Sequence, residues 1–313
     1  MIVAITGGTG FIGHKLGQYH LERGDQVRVL SRRSVADGEN SAINWFPGDL
    51  AGIDRLESFV DGADILYHCA GEIRDESRMK RVHVEGTQRL IQAATGRIGR
   101  WVQLSSVGAY GRRLAGTVTE DTELAPLGTY EVSKVESDRL VTAAAEYGAF
   151  ESVILRPSNV FGAEMSNRSL FGLIEMIRCG WFFFVGPPGA SANYIHVGNV
   201  VESLVLCGAK ANAVGQVYNL SDHRTMEQFV AAISSSMGKT APRLRLPKDV
   251  VSVLASLFGV LPGFPLSQAR VDALSGRAVY LPDKIEKDLG YRHVVSMEAG
   301  LAELTQACLR QQD

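Results

Sequence analysis

Met1-Ile2-Val3-Ala4-Ile5-Thr6-Gly7-Gly8-Thr9-Gly10-Phe11-Ile12-Gly13 opens the chain and decides its fold. Ile2 to Ile5 are apolar and partly β-branched, the pattern of a buried parallel strand. Gly7, Gly10 and Gly13 follow at Gly-x-x-Gly-x-x-Gly spacing, and a helical pattern begins at once. Backbone arranged this way lies against a pyrophosphate. Gly7 permits the sharp turn, Gly10 removes a side chain that would block the phosphates, and Gly13 lets the helix pack closely on the strand. The helix N-terminus adds free N–H groups and the positive end of its dipole. A lone glycine-rich turn is a weak signal; its strand-first position points to nucleotide binding.

Working outward, Phe11 to Arg23 reads as a helix stopped by Gly24, and Gln26 to Leu30 as the second strand. Ser31-Arg32-Arg33 follows directly. In a dinucleotide fold this place faces the adenosine ribose, where a carboxylate grips the NAD 2′-hydroxyl and arginine accommodates the NADP 2′-phosphate. The first carboxylate here is Asp37, so NADP(H) is expected over NAD(H). Trp45–Pro47, Asp64–His68, Arg100–Leu104 and Glu151–Leu155 read as further strands. Helices are expected over Glu76–Thr95 and Thr129–Tyr147. This alternation predicts an α/β fold with a Rossmann-type doubly wound parallel sheet. After Pro157 the rhythm loosens. Val197–Ala209 reads as a helix and Gln216–Leu220 as a strand returning to the sheet. The expected division is a dinucleotide-binding domain over 1–165, with 194–222 returning to it, and a smaller, mainly helical C-terminal substrate region over 166–193 and 223–313.

Of the 313 residues 45% are hydrophobic and 21% charged, with a formal net charge of −2. That balance gives no sign of a nucleic-acid or anionic-membrane binder. Cys69, Cys179, Cys207 and Cys308 form no Cys-x-x-Cys pair, so neither a disulfide framework nor a metal site is expected. A first strand at Ile2 with no leader before it suggests the reducing cytoplasm. The longest apolar run, Val250 to Leu261, is too short for a membrane span and reads as a core or substrate-region helix.

A second signal joins Ser105-Ser106, at the end of a strand, to Tyr130 and Lys134 on one helix face. Tyrosine is a poor base at neutral pH, and a nearby ammonium favours its phenolate. A strand-end serine can hold the substrate hydroxyl or carbonyl. Such a set moves a proton while a nicotinamide moves a hydride.

With these motifs together, the chain resembles an extended short-chain dehydrogenase/reductase of the NAD(P)-dependent epimerase/dehydratase family. The likeness runs through Gly48-Asp49-Leu50, Cys69-Ala70-Gly71, Val84-Glu85-Gly86-Thr87, Ser105-Ser106-Val107-Gly108-Ala109-Tyr110-Gly111 and Tyr130-Glu131-Val132-Ser133-Lys134. It continues through Arg156-Pro157-Ser158-Asn159-Val160-Phe161-Gly162, Tyr194-Ile195-His196-Val197 and Lys284 to Tyr291. The resemblance implies catalytic roles for Ser106, Tyr130 and Lys134, and selects Ser106 over Ser105. It implies cofactor contacts at Gly7, Gly10, Phe11, Ile12, Gly13, Asp49, Leu50, Cys69, Ala70, Gly71, Lys134, Pro157 and Val160, beside Arg32 and Arg33. Substrate contacts are expected at Ser106, Asn159 and Arg270. The resemblance also implies a homodimer paired through helices.

The departures bear on the substrate. Val107 and Gly108 stand where the family's dehydratases carry an acid and base, which argues against dehydration. Ala192-Asn193 replaces the Arg-Asp whose arginine takes a diphosphate oxygen in many nucleotide-sugar epimerases. His83 stands where asparagine is usual and reads as a helix-surface or satisfied histidine. Three readings follow. The leading one is a nucleotide-sugar C4 epimerase or 4-keto reductase. The alternative is a reductase or dehydrogenase of an apolar ketone, resembling the hydroxysteroid and dihydroflavonol branch, with Trp181–Phe184 and Val250–Leu261 as apolar support. The third is a non-catalytic NADP-binding module.

Overall fold

The computed structural model describes residues 1–32, 42–50, 52, 56–258 and 268–310. In its first part the strands are β1 (Ile2–Thr6), β2 (Gln26–Ser31), β3 (Ile43–Pro47), β4 (Ala63–His68), β5 (Ile98–Leu104), β6 (Ala115–Val118) and β7 (Glu151–Pro157). Then come β8 (Asn159–Phe161), β9 (Phe184–Val185), β10 (Ser191–His196), β11 (Val217–Leu220), β12 (Asp222–Thr225), β13 (Arg245–Leu246) and β14 (Arg277–Tyr280). Seven of them form one sheet in the order β11-β7-β5-β4-β1-β2-β3, with every neighbouring pair parallel.

Both faces of this sheet are covered, which explains the near-continuous apolar strands. Period-two alternation sends Val3, Ile5, Val27, Val29, Ile65, Tyr67, Val102 and Leu104 into one core. There they meet Leu16 of the helix Phe11–Glu22 and Val200, Val201 and Leu204 of the helix Val197–Ala209. Ala4, Leu30, Leu66 and Trp101 face the other way, against Phe59, Leu90, Ala93 and Val141. Ile285, Leu289 and Tyr291 also pack into the first of these cores, so the chain touches the sheet layer again well beyond residue 222.

β1 is flanked by β4 and β2, so the strand order reverses there. That is where an open α/β sheet leaves a crevice for ligands at its carboxyl edge. The long helix expected over Glu76–Thr95 is broken into an α-helix Glu76–Lys80, a π-turn Arg81–Glu85 and an α-helix Gly86–Ala94. The π-turn closes by an i→i−5 bond from Gly86 N–H to the Arg81 carbonyl. Thr87 Oγ1 donates to the His83 carbonyl at 2.5 Å, which gives that oxygen a side-chain partner.

A second core is built from Phe161, Phe171, Ile174, Phe182, Phe184, Phe229, Ile233 and Leu301. Short strands brace it. β10 pairs parallel with β8 and antiparallel with β12, while β14 pairs with β6 and β13 with β9. The sequence pattern had marked few of these, because strands of two to six residues carry little periodicity.

Candidate active site

The glycine turn is shaped by contacts a side chain would violate. Gly7 has φ +70°, and a Cβ there would stand 2.7 Å from the Ala70 nitrogen. A Cβ on Gly13 would run into the Gly7 carbonyl oxygen. Gly10 differs: a Cβ there would meet only the Gly7 oxygen, at 3.1 Å, and otherwise faces open space. Gly10 caps the helix Phe11–Glu22 without a side-chain bond, and no acidic residue occupies the first turn. A bare helix N-terminus beside open space suits the pyrophosphate of a dinucleotide. Cys69 and Ala70 form the opposite lip, held by Cys69 N–H donating to the Thr6 carbonyl at 3.2 Å. Leu50 is buried against Gly86. Arg32 is exposed at the end of β2, and Arg33 lies outside the described residues.

At the other end of the crevice a cavity of about 400 Å³ brings together Ser106, Tyr130, Ser158 and Asn159. Val107, Gly108, Asn193, Tyr194 and Tyr280 complete much of its wall. Ser106 lies two residues beyond β5 and caps a short 3₁₀ turn, its Oγ accepting from Gly108 N–H at 3.1 Å. Ser105 points away and donates to Asp138 Oδ2 at 2.7 Å. Tyr130 lies in the first turn of the helix Thr129–Glu146, where Glu131 accepts from Leu127 and Gly128 N–H and so fixes the helix start. Tyr280, Ser158 and Tyr194 were not singled out as site residues, and Tyr280 sits in a segment with no motif at all.

Lys134 lies one turn from Tyr130 but is buried, its ammonium donating to the Leu104 carbonyl at 2.6 Å. Burial lowers its pKa, and Asp138 opposes that shift. The expected depression of the tyrosine is not present in this arrangement. Burial, then the Asp138 and Glu131 carboxylates, push the Tyr130 phenol up to about 12. The lysine ammonium is turned to the Leu104 carbonyl, and burial and the two carboxylates set the direction of the Tyr130 shift. Beneath it, Asp138 meets Arg156 at 3.4 Å, and Arg156 donates to Tyr110 Oη, which donates to Asn219 Oδ1.

His83 is buried and satisfied at both ring nitrogens. Glu72 N–H donates to Nε2 at 2.7 Å, so the neutral ring carries its proton on Nδ1. Nδ1 then donates to Ser133 Oγ at 2.8 Å, and Ser133 donates to the Tyr130 carbonyl at 2.9 Å. Its ring meets that of Tyr130 edge to face at 5.5 Å. Burial, helped by Lys134, lowers its pKa to about 4.

Other expected contributors lie elsewhere. Arg270 is exposed on the helix Gln268–Ser275 and is not part of the cavity wall. Phe182 and Phe184 are buried in the second core, Trp181 is exposed, and Val251 and Ala255 pack in a small cluster of their own. None of these apolar residues lines the cavity, so they give no support to an apolar substrate. Residues 259–261 of the apolar run lie outside the described residues. Among the described residues no cluster able to hold a metal ion occurs and no helix is long and apolar enough to cross a membrane.

A glycine turn at a strand-order reversal and a serine–tyrosine cavity in one chain point to the class of dinucleotide-dependent oxidoreductases. Comparison with known proteins places the chain within it. Residues 3–221 match the model of the NAD dependent epimerase/dehydratase family. The chain is 32% identical to the 4-hydroxy-2-methyl-3-oxo-4-farnesyl-3,4-dihydroquinoline-1-oxide ketoreductase of Stigmatella aurantiaca, over 97% of this chain and 95% of the relative. It is 26% identical to the 3 beta-hydroxysteroid dehydrogenase/Delta 5-->4-isomerase of Mycobacterium tuberculosis, over 96% and 88% respectively. Among solved structures, UDP-glucuronic acid 4-epimerase from Bacillus cereus, in complex with NAD, superimposes with a TM-score of 0.78 at 19% identity, covering both chains fully. The chain belongs to the NAD dependent epimerase/dehydratase family and is an extended short-chain dehydrogenase/reductase enzyme.

Proposed function

We propose that the protein interconverts a ketone and a secondary alcohol on a substrate without phosphate, using NADP(H). The observation that carries this reading is the catalytic cavity's wall, which among the described residues holds no lysine, arginine or histidine. Away from a helix N-terminus, a sugar diphosphate is best held by cationic side chains, and among the described residues this wall supplies none. The neighbouring chamber of about 220 Å³ does hold Arg112 and Arg113. Arg112 is paired with Asp272 at 3.0 Å, and Arg113 is spent on the Tyr110 and Glu123 carbonyls. Ala192, at the arginine position of the epimerase pattern, is buried in the second core. The ketoreductase and hydroxysteroid dehydrogenase relatives support the same side.

When bound, the dinucleotide supplies the hydride equivalent. The chain's own residues handle the oxygen. Ser106 Oγ and the Tyr130 phenol, facing one cavity, hold the carbonyl oxygen, and Tyr130 delivers its proton there. The Tyr130 phenol is protonated at neutral pH and so carries the proton that a ketone oxygen takes up on reduction. Lys134 serves the same step by holding the nicotinamide ribose. Gly7, Gly10, Phe11, Ile12 and Gly13 bear the pyrophosphate, and Arg32 favours the NADP 2′-phosphate. The free cysteines suit a reducing compartment. A homodimer through the helix Thr129–Glu146, whose outward Val132 is exposed, completes the reading and is checked by sedimentation.

Nucleotide-sugar epimerisation is the second reading, favoured by Asn159 on the cavity wall. One experiment separates the two. NADPH consumption is followed over a panel of aryl and alicyclic ketones, beside thermal shifts with UDP-, GDP- and dTDP-sugars. Turnover of a ketone with no nucleotide-sugar stabilisation supports the proposal. Stabilisation by one nucleotide class, with interconversion of its sugar, overturns it.

A further inference from the structure

The lip opposite the glycine turn and the helix turn that bears Tyr130 meet on one buried side chain. His83 lies on the π-turn Arg81–Glu85 and is 2% exposed. On one side its Nε2 accepts from Glu72 N–H at 2.7 Å. Glu72 continues the lip that runs from Cys69 through Gly71. That lip hangs from β1 at its other end, where Cys69 N–H donates to the Thr6 carbonyl at 3.2 Å and Ala70 N–H to Thr6 Oγ1 at 3.3 Å. Gly71 leaves room for the ring, since a Cβ there would stand 3.3 Å from His83 Nε2. On the other side Nδ1 donates to Ser133 Oγ at 2.8 Å. Ser133 is buried and donates its own hydrogen to the Tyr130 carbonyl at 2.9 Å. From the same turn Thr129 Oγ1 reaches Glu76 Oε2, at 3.4 Å and in solvent.

This chain of bonds runs one way. A backbone N–H can only donate and a carbonyl can only accept, so the hydrogens of His83 and Ser133 have a single consistent assignment. Each bond alone is the ordinary satisfaction of a buried group. The two ends give the set its meaning: one is backbone of the lip beside the dinucleotide, the other is backbone of Tyr130 itself. Reduction needs a hydride and a proton to reach one carbonyl together, and a misplacement of about 1 Å can cost on the order of 100-fold. We propose that His83 is a positioning residue that, through Ser133, holds the dinucleotide's lip and the Tyr130 turn in register with each other. It acts through Ser133 and not on the substrate. The role rests on the reading of Tyr130 as the proton donor and deepens it.

The test is a double-substitution cycle in the full chain. The kcat is read on the ketone that the panel finds turned over, and the NADPH Kd is read separately by fluorescence titration. Ser133→Ala removes one oxygen and leaves Glu72 bound to His83. It should lower kcat roughly tenfold with the Kd unmoved. His83→Phe keeps a ring against Tyr130 and releases both ends. It should lower kcat at least as far and also weaken NADPH binding about fivefold. The double variant should lose far less kcat than the product of the two single losses, because both break one chain. Losses that multiply, or an unchanged kcat in Ser133→Ala, overturn the positioning role. A weakened NADPH Kd in Ser133→Ala overturns it too, since that substitution does not touch the lip. Should His83→Phe fail to fold, the split between kcat and Kd in Ser133→Ala decides. Tyr130→Phe separates the two readings: unchanged turnover there overturns the proton-donor reading and the role of His83 with it. If a nucleotide sugar is converted in place of a ketone, the cycle is read on that rate, and the role of His83 is judged by the same outcomes. No turnover on either panel overturns both.

Discussion

The two halves of this crevice are built by different means. At the cofactor end the shape is made by backbone: Gly7, Gly10 and Gly13 matter for what they lack, and Cys69 and Ala70 press in from the next strand. At the substrate end the shape is made by side chains from several short strands: Tyr280 from β14, Tyr194 and Asn193 from β10, and Asn159 from β8. A backbone cradle tolerates almost no change but asks little of its surroundings. A side-chain cavity can be retuned residue by residue. The difference explains how relatives that share the first half can carry such different names.

The sharpest way to break this comparison is Tyr130→Phe, which removes one oxygen from the substrate end. Turnover should fall by roughly 10²–10⁴-fold, while NADPH binding, followed by fluorescence titration, persists. Loss of both together would mean that the halves are not separable. At the cofactor end Gly7→Ala should act through the fold. A positive φ and a backbone contact at 2.7 Å together predict a loss of about 2 kcal/mol or more in unfolding free energy. Gly10→Ala, whose Cβ would meet only the Gly7 carbonyl oxygen at 3.1 Å, should lower the melting temperature far less than Gly7→Ala while weakening NADPH binding.

A third test concerns His83, which bridges the halves. In the unfolded chain its pKa is near 6.5; in the folded protein it is lowered to about 4. Below the unfolded pKa the unfolded chain takes up a proton that the folded ring refuses. Stability is therefore full above about pH 6.5 and declines as pH falls toward 4, by up to about 1.4 kcal/mol per pH unit for this one group. His20, His68 and His196 shift in the same direction. His83→Gln should flatten the acid slope of the urea-unfolding free energy by one histidine's share; an unchanged slope would contradict the buried, neutral ring. The smallest expected effect is Ser105→Ala. It removes the donor to Asp138 Oδ2, and Asp138 Oδ1 already lacks a partner. A loss of about 1–2 kcal/mol should appear in unfolding, with less effect on turnover than Ser106→Ala.

Legibility in the sequence follows the same divide. The glycine spacing, the apolar strands and the Ser-Tyr-Lys placement are local patterns. The parallel sheet could be read from them because strands buried on both faces leave continuous apolar runs. The family follows from the same residues. Tyr280 and Ser191, in contrast, reach the cavity through pairings between segments far apart in the chain, such as Ser191 N–H to the Gly276 carbonyl. No local period announces those. Trp181–Phe184 misled for a related reason. Aromatic residues in a row fit a core as well as a pocket, and Phe182 and Phe184 fill the core. The lysine's inward turn to the Leu104 carbonyl was also hidden, since spacing on a helix fixes a face and not a side-chain direction.

The π-turn at Arg81–Glu85 has a mechanical consequence. An i→i−5 closure takes up one residue more than an α-turn, which otherwise advances about 100° per residue. The segments Glu76–Lys80 and Gly86–Ala94 are thereby out of phase with each other, like two threads cut on one bolt with a skipped pitch. Deleting a single residue here would restore an even thread and swing one segment by about a quarter turn. Either Leu90 would leave the sheet, or His83 would leave Tyr130.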